Sequence, residues 1–137
     1  MARTEDAFLD EFEDWLKNKK GLTIRQRMRG NKRGIDIIAT DGHYQWYFEG
    51  KGEKGEGTSK QNIIERWEKL LREIIERMDT PNVRYGMVIP PEMLKHAKKI
   101  DKYFWHRTKL KVFVVYNKNK VAELTWEDFK ARRDLNS

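Results

Sequence analysis

The feature that most constrains the fold is a pair of short strand-type segments on either side of the dipeptide Asp41-Gly42. Residues 35–39 are rich in β-branched side chains, and residues 44–49 place an aromatic side chain at every second position. Asp-Gly is a preferred two-residue connection in β-hairpins, because both central positions of such a turn need a positive φ. The pattern therefore predicts two antiparallel strands joined by a tight turn.

Amphipathic helices are predicted on both sides of this hairpin. Residues 5–19 place apolar side chains at helical spacing after the capping residue Thr4, and residues 58–78 show the same spacing over a longer stretch. The remaining predicted elements are strands at 22–28, 83–89, 112–116 and 121–124, a third helix at 92–104, and a terminal helix after the capping-box sequence Thr125-Trp126-Glu127-Asp128. The order αβββαβαββα describes an α/β (α+β) chain, with a mixed sheet of about five strands flanked by helices.

Composition limits the class of protein. The chain has 137 residues, of which 38% are hydrophobic, so we expect a single domain over residues 1–137 with one packed core. No segment approaches the roughly 20 apolar residues that cross a bilayer, and the acidic opening TEDAFLDEFED is unlike a signal peptide. We therefore expect a cytoplasmic protein. The absence of cysteine excludes disulfides and thiolate metal sites.

The charge balance predicts a polyanionic partner. Lys and Arg number 29 against 22 Asp and Glu, and the resulting net charge of +7 favours encounters with nucleic acid. A membrane partner is not expected, because no helix combines a basic polar face with an interfacial aromatic edge. One concentration of basic residues lies in 95–111. The others lie before residue 36 and after residue 49, and there we predict nucleic-acid contacts by Arg25, Arg27, Arg29, Lys32, Arg33, Lys54, Lys60 and the neighbouring Gln61.

Two carboxylates of the hairpin are candidates for a metal site. Asp36 stands among isoleucines at the start of the first strand, and Glu49 ends the second, so pairing of the strands brings the two together. They would repel each other unless a cation lies between them, and oxygen ligands favour Mg²⁺ or Mn²⁺. Lys51 projects on the same face as Glu49 and adds positive charge beside them. A metal held by two carboxylates and a main-chain carbonyl, here that of Gly50, suits phosphodiester hydrolysis.

These residues also carry a family resemblance. Gly34-Ile35-Asp36-Ile37-Ile38, followed thirteen residues after the aspartate by Glu49-Gly50-Lys51, resembles the PD-(D/E)xK nuclease superfamily, which includes restriction endonucleases and archaeal Holliday-junction resolvases. The resemblance covers roughly residues 4–116 and implies a restriction-endonuclease-like core. It makes Asp36 and Glu49 the metal ligands and Lys51 the catalytic lysine. Ile35 stands where the family motif has proline.

The resemblance implies further site residues. Many members add an acidic residue from the first helix, a role that Glu5 fits, and a lysine or glutamine early on the helix after the motif, where Lys60 and Gln61 stand. Glu5 could instead only complement the helix dipole, and Gln61 could form a capping box with Thr58.

Purely structural roles are also open for the motif itself. Glu49 and Lys51 could form an ion pair at a solvated strand end, Asp36 could be satisfied by Arg33 or Lys32, and the basic loop could be a solvated turn.

The function expected from these observations is a metal-dependent nuclease that hydrolyses phosphodiester bonds in DNA, as a structure-specific endonuclease or resolvase. The alternative is a non-catalytic nucleic-acid-binding module of the same fold. A homodimer is expected, because small nucleases often pair to reach both strands and two-fold pairs are the commonest oligomers.

Overall fold

The computed structural model describes residues 4–30, 34–52 and 60–131, without the side chains of Lys60 and Gln61. Its centre is one six-stranded sheet in which the strands follow each other in chain order. The pairs β1/β2, β2/β3 and β5/β6 are antiparallel, whereas β3/β4 and β4/β5 are parallel. The strands are β1 Thr23–Arg27, β2 Ile37–Thr40, β3 Gln45–Gly50, β4 Val83–Ile89, β5 Lys111–Asn117 and β6 Lys120–Leu124.

Helices connect and cover these strands. They are α1 Glu5–Asn18, α2 Lys60–Arg77, α3 Leu94–Ala97 and α4 Lys102–Thr108, with single 3-10 turns at Pro91–Met93 and Trp126–Asp128. Thr4 caps α1 as predicted, since its side chain accepts a hydrogen bond of 3.1 Å from the Ala7 N–H. None of the helices in the described part of the chain is long and apolar enough to cross a bilayer.

The sheet separates two hydrophobic clusters. Helix α1 buries its apolar side against one face, where Phe12 contacts the rings of Phe48 and Phe113 edge-on. Helices α2, α3 and α4 pack on the other face around Trp67, Ile74 and other residues of the larger cluster. Strands β3 and β4 are buried between these layers, and residues that alternate along them face α1 and α2 in turn.

The predicted antiparallel pairing is confirmed, but the turn spans residues 41–44 rather than two residues. The Asp41 carboxylate accepts hydrogen bonds from the N–H groups of His43 and Tyr44, at 2.8 and 2.7 Å, and Gly42 has a φ of +93° that a side chain would disfavour. Ile37 pairs with Phe48 across the two strands. This register sets Asp36 opposite Glu49 at the open end of the hairpin.

The structure corrects three details of the predicted order. The sheet has six strands rather than about five. The third helix is divided into Pro91–Met93, α3 and α4, because Asp101 ends the first part and caps a new helix by accepting from the Tyr103 N–H at 2.9 Å. The predicted capping box of Thr125 and Asp128 forms, but among the described residues it starts only the 3-10 turn Trp126–Asp128.

Candidate active site

Asp36 is held in place by backbone groups on both sides. It directly precedes β2, and its Oδ2 accepts a hydrogen bond of 2.9 Å from the N–H of Gly50 on β3. Its own carbonyl accepts from the Met28 N–H at 2.9 Å, which continues the pairing with β1. The two contacts fix the aspartate between two strands and orient its carboxylate toward the end of β3.

Glu49 lies beside Asp36 and is 5% exposed. Burial, and next the negative charge of Asp36 and a hydrogen bond between the two carboxyl groups, raise the pKa of Glu49 to about 9, although the nearby Arg77 acts in the opposite direction. Two carboxyl groups share a hydrogen bond only when one of them carries a proton. The pair therefore retains a proton at neutral pH as long as no cation compensates it.

Arg77 is the partner that the sequence analysis did not anticipate. It lies in the last turn of α2, and its Nε is 2.7 Å from Glu49 Oε1. Neither atom has an aligned hydrogen-bond partner within the described ranges, so the contact is electrostatic rather than a directed hydrogen bond. The guanidinium also donates to the Gly34 carbonyl at 3.4 Å. Arg77 thus connects α2 to the segment that precedes Asp36.

Lys51 is anchored through its backbone and meets α2 through its side chain. Its N–H donates to the Val88 carbonyl of β4 at 3.3 Å. Its Nζ lies 3.9 Å from Glu73 Oε2, and the lysine side chain is mostly buried. Glu73 belongs to no sequence motif, and it lies four residues before Arg77 on the same face of α2.

Glu5 reaches the site from α1, as expected from the resemblance. Although the residue is exposed as a whole, burial of its carboxyl group raises its pKa, and the charges of Asp36 and Glu73 add to this effect while Lys51 acts against it. A side chain on Gly52 would lie 3.1 Å from the Glu5 Cα, so the glycine lets the strand end approach the start of α1. The structure brings Glu5, Asp36, Glu49 and Lys51 into one electrostatic neighbourhood.

A third residue of α2, Arg66, completes the wall of the site. Its Nη2 donates a hydrogen bond of 3.0 Å to the Gly52 carbonyl. Arg66, Glu73 and Arg77 are spaced by seven and four residues, which places them on one side of a helix. No local pattern could identify them as site residues, because the same spacing occurs on any solvated helix face.

The predicted nucleic-acid-binding residues of β1 occupy a different environment. The Arg27 side chain is 7% exposed and faces α1, where its Nη1 donates to Asp10 Oδ1 at 2.7 Å and lies 3.7 Å from Glu13 Oε1. Arg29 donates to the same Asp10 oxygen at 2.8 Å, whereas Arg25 is exposed. The structure therefore directs Arg27 and Arg29 toward the acidic face of α1.

The other predicted contacts cannot be placed. Lys32, Arg33 and Lys54 lie outside the described residues. Lys60 and Gln61 begin α2, but their side chains also lie outside the description. Their role in binding nucleic acid stays a prediction.

The donor set has the chemistry that a hard cation requires. Within residues 4–30, 34–52 and 60–131, no group of three or more acidic or histidine side chains is arranged to hold an ion. The Asp36 and Glu49 pair nevertheless supplies two adjacent carboxylates, and its accumulated negative charge is what a divalent cation would relieve. The pair fits Mg²⁺ or Mn²⁺ by ligand type.

Comparison with known proteins locates the fold. No protein-family model matches the sequence, and no curated protein matches it either. Among solved structures, the chain is similar to an XisH family protein from Nostoc punctiforme PCC 73102, with a TM-score of 0.58 and 17% identity over 83% of this chain and 94% of that one. It is also similar to an fdxN element excision controlling factor protein from Anabaena variabilis, with a TM-score of 0.57 and 19% identity over 83% of this chain and 93% of that one.

These likenesses bear on the architecture. A mixed six-stranded sheet flanked by helices agrees with the α+β, nuclease-like fold expected from the sequence. At 17% and 19% identity they carry no activity over to this chain.

Proposed function

We propose that this chain is a metal-dependent nuclease that hydrolyses phosphodiester bonds in DNA, as a structure-specific endonuclease or resolvase. The observation that carries the proposal is the position of Asp36, Glu49 and Lys51 at one end of β3, with Glu5 reaching the same place from α1. A buried carboxyl group with a strongly raised pKa, next to a second carboxylate and a mostly buried lysine, is typical of a catalytic site. A simple surface ion pair needs none of these features.

Each residue has a role that follows from its surroundings. Asp36 and Glu49 would hold Mg²⁺ or Mn²⁺ together with the Gly50 carbonyl, and the bound metal supplies an activated water and a Lewis acid for the phosphate. Lys51 is placed to orient the nucleophile or to balance charge that develops on the phosphate. Its contact with Glu73 at 3.9 Å restrains the lysine side chain next to the carboxylates.

The shared proton makes the site pH dependent. Glu49 with a pKa of about 9 must release its proton before both carboxylates can act as ligands. Higher pH therefore favours occupancy of the site by a cation. When a divalent ion binds, Arg77 must also move away from Glu49 Oε1, or the Glu49 carboxylate must contact both the ion and Arg77.

Cleavage assays test the proposal. Purified protein is incubated with supercoiled plasmid and with a four-way DNA junction in Mg²⁺ or Mn²⁺. We expect metal-dependent cleavage that falls by roughly a hundredfold or more in Asp36→Ala and in Lys51→Ala. Lys118→Ala is the matched control, because Lys118 lies in the exposed turn between β5 and β6. Cleavage that survives both site changes would remove Asp36 and Lys51 from the mechanism.

A non-catalytic nucleic-acid-binding module is the second candidate. The observation in its favour is that a similar structure is described as an excision controlling factor, which names a regulator rather than a nuclease. The contact of Arg77 with Glu49 also neutralises part of the site without a metal. DNA binding without cleavage in Mg²⁺ or Mn²⁺, together with an Asp36→Ala variant that binds equally well, would favour this module.

A further inference from the structure

Much of the positive charge of the chain is concentrated in residues 94–111. Residues 94–111 hold seven Lys and Arg and a single acidic residue, Asp101, and so supply most of the net charge of +7. These residues form α3, α4 and the start of β5. We call Lys95, Lys98, Lys99, Lys102, Tyr103 and Arg107 the α3–α4 surface. The basic residues of α1 and β1, in contrast, lie among the many acidic residues of α1.

The 3-10 turn Trp126–Asp128 gathers two of these lysines. Lys98 donates a hydrogen bond of 2.9 Å to the Asp128 carbonyl, and its Nζ lies 5.2 Å from the centre of the Phe129 ring. The Nζ of Lys102 lies 5.7 Å from the Trp126 ring. Because both contacts lead to the same turn, the basic groups of α3 and α4 belong to one continuous surface.

The α3–α4 surface carries one solvent-exposed aromatic ring, that of Tyr103. Tyr103 is 41% exposed, and the Nζ of Lys102 lies 5.5 Å from its ring. Trp126 is only partly exposed and is already covered by His106, whose ring lies 4.3 Å away. Tyr103 is therefore the ring of this surface that is free to stack on a planar ligand.

Two of the four acids near this surface make hydrogen bonds to local backbone groups, and the other two are Glu92 and Glu127. The Asp101 side chain caps α4 by accepting from the Tyr103 N–H at 2.9 Å. The Asp128 side chain accepts from the Thr125 N–H at 2.8 Å, as part of the capping box. Lys95, Lys99 and Arg107 are exposed. Residues 92–111 and 126–130 together hold eight Lys and Arg against four Asp and Glu, so this part of the chain keeps a net positive charge.

Topology places the beginning of this surface next to the candidate site. Gly50 pairs with Val88 across the parallel strands β3 and β4, so β4 ends at the same edge of the sheet as β3. The chain enters α3 directly after that edge, through Pro91–Met93. The ring of His96 in α3 stacks on that of Trp67 in α2, with 6.4 Å between the ring centres. Trp67 directly follows Arg66, which donates a hydrogen bond to the Gly52 carbonyl of the candidate site.

We propose that the α3–α4 surface binds a single-stranded segment of DNA, with phosphates on Lys95, Lys98, Lys99 and Lys102 and an unpaired base stacked on Tyr103. Phosphate contacts by Lys and Arg together with stacking on an exposed aromatic ring are the two elements of single-strand recognition. The proposal rests on the proposed function, because it extends the DNA path away from the β3 edge. It identifies unpaired DNA as the feature that the protein holds.

The experiment measures binding rather than cleavage. The Asp36→Ala variant is titrated, without divalent metal, into a fluorescent 20-nucleotide single strand and the matching duplex at several salt concentrations. In that background, Lys95→Gln/Lys99→Gln/Lys102→Gln should weaken single-strand binding about tenfold or more and make the salt dependence shallower by about two ions. The control Lys17→Gln/Lys118→Gln/Lys120→Gln removes the same charge elsewhere and should change affinity less than about threefold.

The stacking contact has its own variant. Tyr103→Ala should weaken single-strand binding by about fivefold to a hundredfold and leave duplex binding nearly unchanged, whereas Tyr103→Phe should keep single-strand binding. Lys95→Arg/Lys99→Arg/Lys102→Arg retains the charge and should bind like the parent. Thermal melting of every variant shows that the fold is kept.

Three results would overturn the inference. The first is that the parent protein does not bind the single strand. The second is that the two triple variants lose equal single-strand affinity. The third is that binding to phosphatidylserine vesicles depends on these lysines while oligonucleotide binding does not. Failure of the wild-type protein to cleave DNA would instead overturn the proposed function. Because the titrations need neither metal nor cleavage, the two failures are distinguishable.

Discussion

Two charged clusters lie on opposite sides of the sheet and differ in how their charges are balanced. On the α1 side, Arg27 meets the carboxylates of Asp10 and Glu13. Burial raises the pKa of Asp10, but the hydrogen bonds from Arg29 and Arg27 outweigh it and leave that pKa lowered. On the α2 side, burial and the charge of Asp36 raise the pKa of Glu49 to about 9.

The difference separates a structural cluster from a functional candidate. Opposite charges that meet in hydrogen-bonded pairs stabilise the ionised state of each partner, as Arg27 and Asp10 do. Like charges that are buried together cost free energy and persist where they have a task. The α1 cluster therefore fastens β1 to α1, whereas the α2 cluster holds two neighbouring carboxyl groups, to which the proposed function assigns a metal ion.

The largest effect is expected from Arg27→Met, which removes the cation of the α1 cluster. The side chain is 7% exposed, so its loss removes a mostly buried hydrogen bond to Asp10 and should cost about 2 kcal/mol, although Asp10 keeps its contact with Arg29. Urea unfolding measures the change. Cleavage or DNA binding per folded molecule should stay near the wild-type value. A loss below about 1 kcal/mol would mean that the cluster does not fasten β1.

The next effect concerns Glu49→Gln and pH. The folded-state pKa of Glu49 is raised to about 9 from an ordinary value of 4.5, so the stability that its bound proton contributes is complete below pH 4.5 and is lost as pH rises toward 9. Within that window the wild type should lose up to about 1.4 kcal/mol of stability per pH unit through this group.

Glu49→Gln should remove this dependence, because glutamine does not titrate. Denaturation between pH 5 and 9 measures it for both proteins. An unchanged slope in the variant would show that Glu49 ionises normally in the folded protein.

Arg77→Met provides the direct counterpart of Arg27→Met. Arg77 is 37% exposed, and Glu49 can keep its proton when the guanidinium is gone, so the loss should be only about 1 kcal/mol. The pKa of Glu49 should then rise further, because Arg77 is the charge that lowers it. If the two arginine variants were equally destabilised, the two clusters would not differ as described.

The smallest effect is expected from Arg29→Gln. Arg29 donates to Asp10 at 2.8 Å, but both side chains are about half exposed, so the contact should stabilise the fold less than any of the groups above. High salt should remove most of that difference, since exposed ion pairs are screened. A larger loss that persists in 1 M NaCl would show that Arg29 is part of the buried network.

Short-range pattern predicted much of the architecture. The hairpin at Asp41-Gly42 is encoded in two residues and two alternating runs, and the cap on α1 is encoded in Thr4. The convergence of Asp36 with Glu49 follows from the hairpin register, so it too was accessible from the sequence. The split of the third helix was missed, because Asp101 is compatible with a helix interior as well as with a cap.

The sequence alone therefore determined the order of the elements and the residues at the open end of the hairpin, because both depend on neighbours in the chain. Only the tertiary structure decided which side chains of α2 face them, since Arg77 and Gly34 are 43 residues apart and no local pattern encodes the rotation of a helix over a sheet. It also decided that Arg27 faces acids of α1 while the basic side chains of α3 and α4 stay exposed. Composition gives only the number of charged residues, whereas packing decides which of them form ion pairs and which remain exposed to solvent.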